Sequence, residues 1–122
     1  MVAFRELDER VPFSQQLGAS AAPIVFFNTF HVAPQDVDAF MDAWRADGAF
    51  MQRQPGFVST QLNRGIAGST TFINVAVWDS VEAMRAAVSS PEFQASLADY
   101  PESAVASPHI CTKVAVPGIC SG

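Results

Sequence analysis

The sequence predicts an α+β fold of the ferredoxin-like, split βαβ class, with the element order strand, helix, strand, strand, helix, strand (βαββαβ) and a four-stranded antiparallel sheet. Three observations lead to this prediction. Residues 24–32 and 71–78 alternate between two kinds of side chain with the period of a strand. Residues 57–64 are joined to the 71–78 run by a glycine-containing turn typical of a hairpin. Between and after these runs, apolar residues recur at the three- and four-residue steps of amphipathic helices.

Composition and charge are those of one globular domain. The chain has 122 residues and a net charge of −5, and 49% of its residues are hydrophobic. Its seven lysines and arginines are scattered, which argues against nucleic-acid binding. No apolar run approaches the roughly 20 residues of a membrane span, and the first residues lack a signal-peptide core. Cys111 and Cys120 have no metal-like spacing. We therefore expect a reduced, cytoplasmic protein with no membrane partner.

The chain divides into three parts. Residues 1–22 carry charge early and serine, glycine and alanine late, as in an N-terminal arm that is disordered or docked on a partner subunit. Residues 23–116 contain all the predicted elements of the domain. Residues 117–122 form a short C-terminal tail after the last predicted strand.

The first half of the domain is a strand followed by a helix. The strand at 24–32 places Phe26, Asn28 and Phe30 on one face. A proline then opens the helix, where a missing N–H is harmless, and Pro55-Gly56 ends it. The apolar stripe of this helix consists of Val37, Phe40, Met41, Trp44 and Met51. This periodicity favours a core role for Trp44 over a role in cofactor binding.

The second half begins with the hairpin and ends with a strand. Asp79 is the expected N-cap of the helix after the hairpin, with Glu82 three residues later as in a capping box. A further short helix begins at Ser90-Pro91, again a cap followed by proline at the first position, and reaches about Tyr100. The last strand is predicted at 109–116.

The 71–78 strand has two different faces. Ile73, Val75 and Val77 are aliphatic, whereas the other face carries Phe72, Asn74, Ala76 and Trp78. An aliphatic face favours packed helices, which would leave the aromatic face bare. Because so large an apolar face is rarely left in water, we expect a second subunit to cover it in a homodimer. An amide among aromatic rings also indicates a cavity wall, although periodicity leaves open which side of the sheet holds the cavity. Such an amide can instead be structural, satisfied by the sheet or by water.

The chemistry available to this chain is limited. No G-x-S-x-G elbow is present, and His31 and His109 lack the spacing of metal ligands. No glycine-rich phosphate loop or dinucleotide fingerprint occurs, so we expect no cofactor and no metal. What remains is an apolar pocket with the amides of Asn28 and Asn74 and the indole of Trp78. Such a pocket suits a flat aromatic molecule whose carbonyl or phenolate oxygen accepts hydrogen bonds.

The sequence resembles the antibiotic biosynthesis monooxygenase (ABM) family over residues 23–116. The similar segments are the Asn28 strand, Gln54-Pro55-Gly56-Phe57, Leu62-x-Arg64, the 72–78 segment and Ser90-Pro91-Glu92-Phe93. The resemblance implies a dimeric α+β barrel of ferredoxin-like subunits. It also implies oxidation of electron-rich polycyclic aromatics, such as anthrones, by O₂ without a cofactor.

The resemblance also implies roles for particular residues. Asn74 and Trp78 match the N-x-x-x-W pair of the family, and Asn28 matches its first-strand asparagine, which makes these three the expected catalytic residues. Phe26, Phe30 and Phe72 are the expected substrate-binding residues. Quinone-forming members also use a tyrosine or arginine from the second helical region.

The sequence departs from the family in that second helical region. The comparable stretch offers Met84, Arg85 and Tyr100, with no clear match, so the acid/base residue stays open. A haem-degrading branch carries a histidine on the helix after the tryptophan, and residues 79–89 contain none, which disfavours haem degradation. Two other readings stay open: a non-catalytic dimeric small-molecule-binding module, and asparagine and tryptophan residues that only build a dimer core.

Overall fold

The computed structural model describes the whole chain, Met1–Gly122, and has the ferredoxin-like α+β fold that the sequence predicts. Its strands are β1 Ala3–Phe4, β2 Ile24–His31, β3 Phe57–Arg64, β4 Thr71–Trp78 and β5 Val105–Cys111. Its α-helices are α1 Phe13–Leu17, α2 Val37–Gln52, α3 Val81–Val88 and α4 Pro91–Ser96. Two short 3₁₀ turns, Pro34–Asp36 and Leu97–Asp99, precede α2 and follow α4. None of the helices has the length and apolar character needed to cross a membrane.

The sheet has five strands in the order β1-β5-β2-β4-β3. The four strands of the predicted core pair antiparallel, and β1 adds a fifth, parallel to β5. The central strand β2 lies between β4 and β5. Its register with β4 places Asn28 directly opposite Asn74 and Phe30 opposite Phe72. The sheet therefore brings two widely separated asparagines side by side.

The helices cover the aromatic face of the sheet, and the expectation that they would cover the aliphatic face is wrong. Phe30, Phe72 and Trp78 are buried in two clusters formed with side chains of α2 and α3. Ile73, on the opposite face, is 40% exposed. The physical reason is the buried area: an aromatic side chain removes more apolar surface from water beneath a helix than a short aliphatic one does. We call the two sides the inner face and the outer face.

The N-terminal arm packs on its own subunit. Val2 is buried in the core, and β1 pairs with the edge of β5. Helix α1 is held at that same edge by Gln16, whose Oε1 accepts from the backbone N–H of Ile110 at 2.9 Å. The Arg85 guanidinium donates to the carbonyl of Leu17 at 2.6 Å. The arm is thus ordered by contacts within the subunit rather than disordered.

The last strand begins and ends earlier than the sequence predicts. It covers Val105–Cys111 instead of 109–116 and includes Pro108. The backbone of Pro108 is oriented like that of Ala106 and Ile110, whose hydrogen bonds run to the arm and not to β2. The missing N–H therefore removes no bond to β2, and the proline is tolerated in the strand.

Two helix starts show the capping chemistry expected from the sequence, one of them shifted by a residue. Ser80, not Asp79, caps α3, and its hydroxyl accepts from the N–H of Ala83 at 3.1 Å. Ser90 caps α4 as predicted, accepting from the N–H of Phe93 at 3.2 Å, with Pro91 at the first position. Both serines have an extended backbone, and from this conformation the short side chain reaches the free N–H groups of the first helical turn.

Gly56, in the turn between α2 and β3, is required for its conformation and for the space around it. Its φ is +85°, and a Cβ there would lie 2.5 Å from the Cβ of Ala83 in α3. We expect Gly56→Ala to lower the free energy of unfolding by about 2–4 kcal/mol, because left-handed strain and overpacking add. Gly68→Ala is the matched control, since its φ is +77° but no atom lies within 4 Å. Equal losses in urea denaturation would contradict this account.

Candidate functional site

A cavity of about 370 Å³ lies between the inner face of the sheet and the helices. This volume falls within the range of about 300–1,000 Å³ typical of small-molecule sites. Hydrophobic residues account for 17 of the 26 that line it. The predicted site residues Phe26, Asn28, Phe30, Asn74 and Trp78 all lie in its wall. The chain therefore forms a largely apolar pocket with a few polar groups.

Phe72 is the one predicted site residue outside the cavity lining. It is buried in the core, where its ring lies 4.8 Å from that of Phe40 on α2. The side chain lies on the same face of β4 as Asn74, as predicted, but its position near the start of the strand places it beneath α2 instead of against the open space. Phe72 thus supports the wall of the cavity without forming it.

The amides of Asn28 and Asn74 form a pair on the wall. Directly opposed residues of antiparallel strands have Cβ atoms about 4.5–5.5 Å apart, so both amides face the same region of the cavity. The Thr60 hydroxyl, from β3, donates to Oδ1 of Asn74 at 2.5 Å. With its oxygen occupied, Asn74 has its NH₂ group free to donate. Thr60 also lines the cavity, although no local sequence pattern indicates a role for it.

The side-chain oxygen of Asn28 is buried without a hydrogen-bond partner, and no other side-chain polar atom in the protein is both buried and unpartnered. Leaving such a group unsatisfied costs about 1–3 kcal/mol, so an orphan acceptor in a native fold needs an explanation. Pro108 on β5, opposite Asn28, also lines the cavity and has no N–H to offer. The arrangement suits a bound molecule that carries a hydrogen-bond donor.

Two tryptophans contribute to the wall from opposite sides. Trp78 is 2% exposed and is held edge-to-face by Phe57, with ring centroids 5.4 Å apart. Trp44, predicted as a core residue, is half-buried: it packs against the core and also lines the cavity. Its neighbour Gly48 lies close to the indole ring and adds little bulk. The indoles offer flat apolar surfaces to an aromatic ligand.

Asp47 is a buried acidic residue in the cavity wall. It lies on α2, and its two carboxyl oxygens lie 2.6 Å from the hydroxyls of Ser96 and Tyr100. Burial raises the pKa of the Asp47 carboxyl above its ordinary value; the two hydroxyls act against this shift and the charge of Asp99 adds to it. Burial, together with the neighbouring Asp47, also raises the pKa of the Tyr100 phenol, so Tyr100 stays protonated.

Sequence reasoning missed Asp47, although a signal was present. Asp47 lies three residues after Trp44 and four before Met51, within the apolar stripe of α2. An acid on the buried stripe of an amphipathic helix indicates a paired or functional group. For Tyr100, the sequence predicts no definite role. Its partner on α2 is 53 positions away in the chain, so only the tertiary structure reveals the pair.

The arm closes one side of the cavity. The arm residues in the lining are Val2, Phe4, Glu6, Phe13, Ser14 and Leu17. The carboxylate of Glu6 accepts from the N–H of Phe13 at 2.9 Å, which fixes the start of α1. The ring of Phe13 lies 5.9 Å from that of Phe26 on β2. The arm is therefore part of the site.

The two histidines lie apart from the amide pair. His31 is exposed at the end of β2 and hydrogen-bonds the Thr71 hydroxyl at 2.8 Å. His109 contacts the Gln16 amide at the sheet edge. Cys111 and Cys120 are free thiols. No group of three or more His, Cys, Asp or Glu side chains is arranged to hold a metal ion.

Comparison with known proteins assigns this chain to a family. The family model for antibiotic biosynthesis monooxygenases matches residues 23–99, well over half of the chain. The protein belongs to the antibiotic biosynthesis monooxygenase family. The match covers β2 to α4 and includes both asparagines and Trp78. The resemblance seen in the sequence is thereby confirmed.

Several relatives of this family member are characterised or solved. Deoxynogalonate monooxygenase of Streptomyces nogalater is 35% identical over 78 residues, which span 62% of this chain and 64% of that protein. SnoaB, a cofactor-independent oxygenase from the same organism, superposes with a TM-score of 0.69 and 28% identity, covering 80% of this chain and 99% of SnoaB. A solved protein from Shewanella loihica PV-4 gives a TM-score of 0.67 and 30% identity, covering 81% of this chain and 100% of its own.

Proposed function

We propose that this protein is a cofactor-independent monooxygenase that oxidises an electron-rich polycyclic aromatic substrate of the anthrone type with O₂. One observation carries the proposal: two amides stand in register on the wall of a largely apolar cavity, and the oxygen of one of them, Asn28, has no partner. The similarity to deoxynogalonate monooxygenase and to the cofactor-independent oxygenase SnoaB, both from Streptomyces nogalater, supports it.

The reaction converts a ring CH₂ group into a carbonyl group, with one oxygen atom of O₂ in the product and the other in water. Loss of one C–H proton leaves a carbanion that is delocalised as an enolate. The anion passes one electron to O₂, and the resulting radical and superoxide combine into a peroxide anion, which takes up the first proton and becomes a hydroperoxide. Loss of the second C–H proton then breaks the O–O bond, releases hydroxide and forms the carbonyl. The electrons come entirely from the substrate.

The protein would contribute binding, desolvation and stabilisation of the anion. The NH₂ of Asn74 can donate to the enolate oxygen, and the Oδ1 of Asn28 can accept from a phenolic hydroxyl of the same molecule. Phe26 and Phe30 provide apolar walls, and Trp78 provides a flat surface and an indole N–H. The apolar lining of the pocket strengthens each of these polar contacts, because it lowers the local dielectric constant.

The test is oxygen uptake by the purified, metal-free protein with dithranol, a simple anthrone, followed by the absorbance of the quinone. Uptake above the uncatalysed rate, with a matching gain in quinone, supports the monooxygenase. Bound dithranol with no uptake above the uncatalysed rate would instead support a non-catalytic small-molecule-binding module of the same fold.

We also infer that the protein is a homodimer that associates through the outer face of the sheet. This face carries Val25, Phe27, Ile73, Val75 and Val77, which no helix covers. An apolar patch without cover typically marks a protein interface. The partner would therefore cover the aliphatic face instead of the aromatic face expected from the sequence.

The dimer can be tested at Val75, which lies opposite Phe27 in the middle of the outer face. Val75→Glu would place a charge at the centre of the apolar patch, so we expect it to shift the mass measured by light scattering from two chains to one. Ile66→Glu is the matched control, because Ile66 lies in the β3–β4 turn and is 89% exposed. A wild-type protein that is monomeric at micromolar concentration would rule the homodimer out.

A further inference from the structure

Asp47 is a carboxyl group inside the cavity that no cation neutralises. The two ion pairs of the protein, Arg10–Asp8 and Arg45–Asp42, are both on the surface. Asp47 is only 9% exposed and lines the same cavity as Asn28 and Asn74. A buried acid without a counter-ion is unfavourable for folding alone, and such groups concentrate at functional sites.

The geometry points to Asp47 as the general base of the reaction: its carboxylate takes the proton that ionises the aromatic substrate and later returns it to the peroxide oxygen. This inference rests on the proposed oxygenase function and supplies the acid/base residue that the family resemblance left open. Each carboxyl oxygen accepts one hydrogen bond, from Ser96 or Tyr100, so each retains a lone pair for a proton from the substrate.

The hydrogen bonds around Asp47 suit both of its protonation states. The Ser96 hydroxyl lies 2.6 Å from Oδ1 of Asp47 and also 2.6 Å from the carbonyl oxygen of Phe93. It has a single hydrogen and can donate to only one of them at a time. When Asp47 is ionised, Ser96 donates to the carboxylate. When Asp47 is protonated at Oδ1, the carboxylic acid donates to Ser96, which then donates to Phe93.

Tyr100 holds the second oxygen of the carboxyl group in both states. Its hydroxyl donates to Oδ2, and its ring is fixed by Phe30 and Phe40, at centroid distances of 6.1 Å and 5.8 Å. Ser96 and Tyr100 are therefore positioning residues. A general base must keep its geometry while its charge changes, and this arrangement allows that without any movement beyond the rotation of one hydroxyl.

The proton and electron balance is closed. Asp47 accepts a proton from the substrate C–H or phenol, and the electron pair of the broken bond stays on the substrate. After the anion and O₂ have formed the peroxide anion, protonated Asp47 gives that proton to the distal oxygen and becomes a carboxylate again. The second C–H proton leaves as the O–O bond breaks, and it combines with the released hydroxide to form water.

The environment of Asp47 matches this task. Burial raises the pKa of its carboxyl, which brings the base closer to the weakly acidic substrate and favours transfer of the proton. The titratable groups that act on it are Tyr100 and, on the adjoining 3₁₀ turn, Asp99; Glu6 of the arm also lines the cavity. None of them is a cation, so none holds Asp47 permanently ionised.

The first arm of the test is made without oxygen. Dithranol is bound to the protein at a pH where free dithranol is neutral, and the absorbance band of its anion is recorded. We expect the anion in wild type and none in Asp47→Asn, which preserves shape and hydrogen bonding but accepts no proton. Asp42→Asn, on the same helix with a 79% exposed side chain, is the matched control and should behave as wild type. The anion band in Asp47→Asn would overturn the inference.

The second arm is oxygen uptake with the same variants. We expect Asp47→Asn to lower turnover about 10²–10⁴-fold, the usual contribution of a general base. Wild-type turnover in a folded Asp47→Asn overturns the role of Asp47 and leaves the oxygenase intact. Anion formation that depends on Asp47, without any oxygen uptake, supports the base and contradicts the oxygenase. If wild type forms no bound anion, the role of Asp47 as general base is overturned, whatever the oxygen uptake.

Tyr100→Phe keeps the proposal testable if Asp47→Asn does not fold. Loss of one donor to the carboxylate raises the pKa of Asp47 further, so the pH at which the bound anion appears should move upward. If Tyr100 only held α2 against the segment before β5, the pH midpoint for anion formation would not change. An unchanged midpoint in Tyr100→Phe would therefore overturn the inference.

Discussion

Replacement of Asn74 by alanine is expected to lower the turnover of dithranol about 10²–10³-fold, the usual effect of removing one donor from an oxyanion site. The Asn74 amide is oriented by Thr60, and its NH₂ group is the donor that would meet the negative oxygen of the ionised substrate. Alanine removes that donor from a largely apolar pocket and leaves a methyl group that cannot replace it. Oxygen uptake and quinone absorbance, measured at saturating dithranol, report the change.

The control for this experiment is Asn63→Ala. Asn63 also lies on the sheet, but its side chain is exposed and donates to the backbone carbonyl of Ile73, outside the cavity. We expect wild-type turnover in this variant. If Asn74→Ala folds and retains wild-type turnover, the amide pair has no part in catalysis, and its role reduces to one in structure or binding.

Replacement of Phe40 by alanine is expected to lower the free energy of unfolding by about 3–5 kcal/mol, the usual range for large-to-small changes at a buried ring. Phe40 is fully buried, with its ring 5.0 Å from Phe30 and 4.8 Å from Phe72. These contacts hold α2 against the sheet, so alanine leaves a void between them. Urea denaturation followed by circular dichroism measures the difference.

Ile66→Ala is the comparison for Phe40→Ala. Ile66 is 89% exposed in the β3–β4 turn, and we expect its truncation to change the free energy of unfolding by less than about 0.5 kcal/mol. A loss at Phe40 as small as that at Ile66 would mean that the layers are held together elsewhere, for instance through the second cluster around Met84 and Trp78.

The order of the core elements was predictable because each carries a local signal. The strands β3 and β4 occupy the predicted residues, since alternation and the glycine-containing turn are properties of neighbouring positions. The start of α4 was predictable from the Ser90-Pro91 pair for the same reason. Asp79 and Ser80 are both suitable N-cap residues, so the local sequence predicts the start of α3 only to within one position.

The last strand and the arm were harder to predict, because their structure depends on distant partners. Pro108 is tolerated in β5 because its imide nitrogen does not face β2, and only the orientation of the strand decides that. Likewise, Val2 and β1 become ordered by contacts with the chain about 100 residues later. Neither signal is present in the local sequence.

The sequence by itself determined the family, through the resemblance of its motifs. It also determined the split βαβ order and the alternation that sets Asn28 and Asn74 among aromatic residues, because these two follow from periods and spacings along the chain. Only the tertiary structure decided which face of the sheet the helices cover, that Phe72 supports the cavity from outside, and that Asp47 meets Ser96 and Tyr100. A two-residue period assigns side chains to faces but does not say what packs on each face. That choice depends on the combined volume and polarity of side chains far apart in the sequence.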